Sequence, residues 1–148
     1  MTKYIALLNG PNLNLLGTRN PTQYGADTLD QIVQRVEVEA KKLGHAVWAF
    51  QSNSEGELID AIHKSVREAS GIIINPAAYS HTSVAIRDAL ECMAGPVIEV
   101  HLSNIAARED FRHRSYVSPV ASGVISGFGS YSYVLAIKAM AELLTRPT

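Results

Sequence analysis

The sequence predicts an α/β fold around a parallel sheet of five strands, and three observations predict it. Short apolar runs alternate with longer segments whose apolar residues recur at steps of three and four. The runs are continuous rather than alternating, so they read as strands buried on both faces. Glycine, proline or asparagine punctuates most junctions between the two kinds of segment. Strands that alternate with helices pair in parallel, and their crossovers are right-handed.

In chain order, Tyr4–Leu8 is the first buried strand. A long polar stretch follows, NGPNLNLLGTRNPTQYG from Asn9 to Gly25. Asp27 or Thr28 can cap a helix whose inward face is Leu29, Ile32, Val33, Val36, Ala40 and Leu43, with Gly44 at the C-terminal cap. Ala46–Phe50 is the second strand. Ser54 and Glu57 have the spacing of a capping box, and Leu58, Ile59, Ile62, Val66 and Ala69 continue a helical stripe that Gly71 ends. Ile72–Ile74 is the third strand, followed by the polar loop NPAAYSHTS. Val84–Met93 is a helix stopped by Gly95-Pro96, and Val97–Val100 is a fourth strand ending at His101. After the polar connection SNIAAREDFRHRSYVSP, Gly123–Ser126 is a short fifth strand and Tyr131–Thr145 a last helix. This order suggests a flavodoxin-like three-layer sandwich, one catalytic-sized domain over residues 1–148.

At 148 residues a chain can bury roughly 68–70% of its unfolded surface, so it needs no staples. Hydrophobic residues make up 47% and charged residues 18%, a slightly apolar balance that hints at subunit interfaces. The net charge of −1, without runs of one sign, gives no support to nucleic acid or an acidic membrane surface as partner. A single cysteine, Cys92, precludes an intrachain disulfide and fits a reducing compartment; it reads as a small core hydrophobe. The first residues reach a polar loop too soon for a signal peptide, and no apolar run approaches the ~20 residues of a membrane helix. A cytoplasmic protein is the expectation.

Ligands of open parallel sheets bind outside the carboxyl ends of the strands. That rule selects Asn9–Gly25, Gln51–Ser54, Asn75–Ser83 and His101–Arg114. The first of these is longer than an ordinary connection and reads as a hinged flap: Gly17 and Gly25 bracket a segment with Arg19, Pro21 and Tyr24. Singly, each candidate has a plain reading. Arg19 is a solvated cation, Tyr24 packs the flap, Asn12 and Asn75 make turns, and His113 faces solvent or serves structure. His81 and His101 fall at strand ends facing the site. Arg108 and Arg112 lie four apart, so one reaches inward while the other pairs with Glu109 or another carboxylate. No G-x-G-x-x-G, P-loop or G-x-S-x-G motif is present, and His81, Glu99 and His101 make a poor case for a metal. The case for function rests on convergence.

Four blocks carry a family resemblance over nearly the whole chain: LNGPNLNLLGTRNPTQYG from Leu8, NPAAYSHTSVAIRDAL from Asn75, VIEVHLSNIAAREDFRH from Val97 and SGFGSYSYVLAI from Ser126. They resemble the type II 3-dehydroquinate dehydratases, with Ser132 where the family usually has glycine. The resemblance implies a flavodoxin-like fold, no cofactor or metal, dodecamers built as a tetramer of trimers, and one reaction. That reaction eliminates water from 3-dehydroquinate to give 3-dehydroshikimate, in the shikimate pathway or in quinate catabolism. It implies Tyr24 as general base, assisted by Arg19, Asn12 as holder of a water near the enolate oxygen, and His101 as general acid. Asn75, His81, Leu102, Ser103 and Arg112 match substrate-binding positions, and Asp88 matches one contributed by the adjacent subunit. Glu99, two residues before His101 on one strand face, is expected to orient it or favour its protonated form. Two other classes stay open: a flavodoxin-like ligand-binding module, and a homologue that kept the fold and lost activity.

Overall fold

The computed structural model describes residues 3–18, 22 and 26–146. Its sheet has strands β1 (Tyr4–Asn9), β2 (Val47–Gln51), β3 (Ala69–Asn75), β4 (Val97–His101) and β5 (Gly123–Ser126), all parallel in the order β2-β1-β3-β4-β5. Helices α1 (Leu29–Lys42) and α4 (Tyr131–Thr145) cover one face, and α2 (Glu55–Glu68) and α3 (Val84–Glu91) cover the other. This is the expected flavodoxin-like sandwich.

Strand residues alternate between the two faces. Ile5, Leu7, Ile73, Ile98 and Val100 pack with Ile32 and Val36 of α1 and Ile137 and Met140 of α4. Ala6, Leu8, Ile72, Ile74 and Val97 pack with Leu58 and Ile62 of α2 and Ile86 and Leu90 of α3. The same alternation carries to the carboxyl ends, where Gln51, Asn9 and Asn75 stand in one register row.

Thr28, Ser54 and Gly44 cap as expected, whereas the Glu57 half of the second box and the stop at Gly71 do not. The complete capping box belongs to α1: Thr28 Oγ1 accepts from Gln31 N at 3.2 Å and Gln31 Oε1 accepts from Thr28 N at 2.9 Å. At α2, Ser54 Oγ accepts from Glu57 N, but the Glu57 carboxylate turns to the Ser52 hydroxyl at 2.8 Å. Gly44, at φ 85°, closes α1 with bonds from Gly44 N to Lys41 O and from His45 N to Ala40 O. Gly71 does not end α2; Glu68 does, and β3 begins at Ala69. A Cβ at Gly71 would lie 2.5 Å from Met140 Sδ, so this glycine admits α4 onto the sheet. Helix α3 stops at Glu91, which leaves Cys92 exposed at its end, while Ala89 and Leu90 take the buried positions expected of it. Among the described residues no helix is long and apolar enough to cross a membrane.

Candidate active site

A cleft of about 170 Å³ opens at the carboxyl ends of β1, β3 and β4. Three connections line it. The first gives Pro11, Asn12 and Leu13, the second Asn75, Ala77, Ala78 and His81, and the third His101, Leu102, Ser103, Ile105, Arg108 and Arg112. The fourth predicted loop, after β2, stays out of the lining. Strands β1 and β3 are where the sheet order reverses, the place such folds use for ligands.

Two backbone devices bring the first and second connections together. Gly10 N donates to Asn75 O at 2.8 Å, and a Cβ at Gly10 would sit 2.5 Å from the Pro76 carbonyl oxygen. No other residue fits that approach. Asn12 and Ala77 both adopt positive φ, 70° and 53°. Asparagine visits this region readily, whereas for alanine it costs about 1–2 kcal/mol. Ala77 is held there by donating its N–H to Asn75 Oδ1 at 3.0 Å. Strain of this kind gathers at functional sites.

Beneath the cleft runs a buried polar chain. Asn75 Nδ2 donates to Tyr133 Oη at 2.9 Å, and Tyr133 Oη donates to Asn9 Oδ1 at 2.8 Å. Burial pushes the Tyr133 hydroxyl well above the usual phenol range, against a smaller opposing effect of the Asn75 bond. It therefore stays a neutral donor, and it fixes which way both amides point. Asn75 thus borders the cleft with one amide hydrogen to spare, its other polar atoms being used for structure.

The opposite wall is built on a buried carboxylate. Glu99 is 0% exposed and His101 is 5% exposed. His101 Nε2 lies 2.5 Å from Glu99 Oε2. Ser115 Oγ donates to the same oxygen at 2.9 Å, and Ser118 Oγ donates to Oε1 at 2.5 Å. Desolvation works to raise the Glu99 pKa, but the His101 bond and charge and the two serine hydroxyls outweigh it, and the carboxyl is held below its usual range. An ionised carboxylate only accepts, so His101 Nε2 carries the hydrogen and Nδ1 is the ring nitrogen left for other work.

Around this pair stand the cations. Arg112 Nε donates to both Glu109 oxygens, at 3.1 and 3.2 Å. Arg108 sits deeper, its side chain 15% exposed against 23% for Arg112, with Nη1 reaching Ser103 Oγ at 3.4 Å. Both line the cleft, so the expected division between one inward and one paired arginine holds only in part. His81 Nδ1 donates to Arg114 O at 2.8 Å, and His113 Nε2 donates to Arg108 O at 2.9 Å, which gives His113 a structural task. Asp88 is exposed on α3 and away from this lining. Arg19 and Tyr24 lie outside the described residues. Ser132 is fully buried, and its Oγ accepts from Phe128 N at 3.0 Å, a bond that glycine would not make. Among the described residues, no three His, Cys, Asp or Glu side chains come together to hold a metal ion.

Sequence reasoning left open which of Arg108 and Arg112 faces inward, and passed over Ser115, Ser118 and Tyr133. Arg108 carried a signal in its four-residue spacing to Arg112; the serines carried none, because their partner is 16 and 19 residues away. Chemically, the cleft joins an oriented histidine to hydroxyl, amide and guanidinium donors. That set suits a small, hydroxylated anion and one proton transfer.

Residues 3–141 match the family described as dehydroquinase class II. Over 142 residues the chain is 56% identical to 3-dehydroquinate dehydratase 2 of Pseudomonas aeruginosa, with 96% of each chain covered. It is 58% identical to the 3-dehydroquinate dehydratase of Hahella chejuensis, covering 95% of this chain and 97% of the relative. The crystal structure of the type II dehydroquinase from Propionibacterium acnes has the same fold, with a TM-score of 0.91 and 45% identity over 96% of this chain and 98% of that one. A match this long, with the cleft and every strand inside it, establishes that this chain belongs to the class II dehydroquinases.

Proposed function

We propose that this protein dehydrates 3-dehydroquinate to 3-dehydroshikimate through an enolate. The observation that carries the reading is the His101–Glu99 pair in the wall of the cleft, in a chain with dehydroquinase relatives on every side. The substrate has an acidic C–H next to a ketone and a hydroxyl one carbon further on. Tyr24 is the base that takes the C–H proton. A free phenol has a pKa of about 10, and an adjacent cation lowers an acid by ~1–3 units, which is the task given to Arg19. Asn12 positions a water at the developing enolate oxygen, an oxyanion-hole role. His101 acts here as the imidazolium: its Nε2–H stays on Glu99 while its Nδ1–H passes the proton to the departing hydroxyl, leaving the neutral ring. Asn75, His81, Leu102, Ser103 and Arg112 hold the substrate, whose carboxylate and hydroxyls match the donors in the cleft. No metal or cofactor takes part in this reading, and its setting is the shikimate pathway of a cytoplasmic enzyme.

The direct test mixes the protein with 3-dehydroquinate and follows ultraviolet absorbance, because the product is a conjugated enone and the substrate is not. Tyr24→Phe is expected to lower kcat by about 10²–10⁴-fold while substrate still binds. Preserved turnover in that variant would assign the base to another residue.

The oligomer is part of the same proposal: a homododecamer, a tetramer of trimers, in which Asp88 completes the site of a neighbouring subunit. The exposed placement of Asp88, away from the cleft of its own chain, supports this. Asp88→Ala is expected to lower activity or weaken assembly, read by turnover and by sedimentation. A variant unchanged in both would end the shared site.

A further inference from the structure

The loop after β2 contributes no lining to the cleft, yet it is tied to both connections that flank the point where the sheet order reverses. Its centre is Asn53. Asn53 Oδ1 accepts from the backbone N–H of Asn12 at 2.9 Å and from Gln51 Nε2 at 3.2 Å. Gln51 Nε2 also reaches Gly10 O at 3.1 Å. On its other side, the Asn53 carbonyl accepts from the Tyr79 hydroxyl at 2.7 Å, in the connection that carries Asn75, Ala77 and His81. One residue therefore ties the first and second connections together from outside the cleft.

The geometry points to Asn53 as the positioning residue for Asn12, acting through the single acceptor Oδ1. This rests on the dehydratase reading above, in which Asn12 serves the enolate. Asn12 stands at φ 70°, and no side-chain bond of its own caps the turn of 3-10 helix, Leu13–Leu15, that it opens. Its side chain is therefore not held by a capping bond to its own turn. The bond from Asn53 fixes the Asn12 peptide plane, and Gln51 holds the acceptor and Gly10 in register. Removing Oδ1 frees that plane without taking any side chain from the cleft lining. A small misplacement of a group that acts on the transition state lowers kcat more than it weakens substrate binding.

Three substitutions test this, each followed by thermal melting and by kcat and KM for 3-dehydroquinate. Asn53→Asp keeps an oxygen acceptor for the Asn12 N–H and is expected to stay within about threefold of the parent. Asn53→Ala removes it and is expected to lower kcat about 10- to 100-fold with KM within about twofold. Asn53→Gln moves the acceptor by one methylene and is expected to follow the alanine variant; it carries the test if alanine disturbs folding. Repeating Asn53→Ala in an Asn12→Ala background is expected to add nothing, because both act through one group. Full kcat in the alanine and glutamine variants, equal damage by aspartate and alanine, or additive losses in the double variant would each overturn the proposal. A parent chain inert toward 3-dehydroquinate would overturn the dehydratase reading and this inference with it. An active parent with an unaffected alanine variant overturns this inference alone.

Discussion

His101→Ala is expected to lower kcat by about 10²–10⁴-fold while changing KM little. The ring sits at the end of β4 with Nε2 committed to Glu99, so only Nδ1 is free to give a proton. Its loss removes the acid but leaves Ser103, Arg108, Arg112 and the amides in place to bind substrate. The elimination would then release hydroxide unaided, and the penalty falls on the chemical step. The check is the enone absorbance under saturating substrate. If kcat holds within a few-fold, the proton comes from another donor and the pair in the wall is structural.

The second large effect is expected at Glu99. Glu99→Gln keeps the shape but turns one acceptor oxygen into an NH₂, facing either Ser118 or the Ser115–His101 pair. At least one donor loses its charged acceptor, at about 1–3 kcal/mol. Each kcal/mol corresponds to about 2–4 °C of Tm in a chain of this size. The ring also loses the contact that fixes its tautomer, so kcat falls together with stability. The pH dependence separates this from generic damage. Glu99 is held below the usual carboxylate range in the folded chain. It therefore contributes stability that is fully present above that range and is lost as pH falls through its folded value. In the glutamine variant this acid-side loss should flatten. An unaltered slope of stability between about pH 5 and 2 would show that Glu99 is not the group responsible.

How far the residues themselves announced this arrangement depends on the reach of each interaction. Helix α4 is legible to its ends, because apolar spacing and flanking polar residues are local signals. Glu99 and His101 are legible as neighbours, since a strand puts alternate residues on one face. The capping box was misread for a physical reason. Ser54 and Glu57 have the required spacing, but the Ser52 hydroxyl takes the Ser54 N–H at 2.9 Å and donates to Glu57, whereas the Thr28 N–H goes to Gln31. Gly71 looked like a stop signal because its tight fit against Met140 comes from a helix 69 residues further along. Asn75 reads from the sequence as a turn residue and, by resemblance, as a substrate ligand; its bond from Ala77 N makes the turn. Its bond to Tyr133 spans 58 residues, and no local pattern foretells it.

The Tyr133 chain also bears on the making of the protein. Its hydroxyl meets Asn9 across 124 residues of sequence, nearly the whole length of the polypeptide. Closing a contact so distant costs more chain entropy than closing a local one, and such contacts slow folding. During synthesis, the amides of Asn9 and Asn75 emerge long before their partner. A nascent chain stalled before residue 131 carries every cleft residue we have named and none of the phenol that orients them. Docking of the last helix thus supplies the one phenol that orients both amides beneath the cleft.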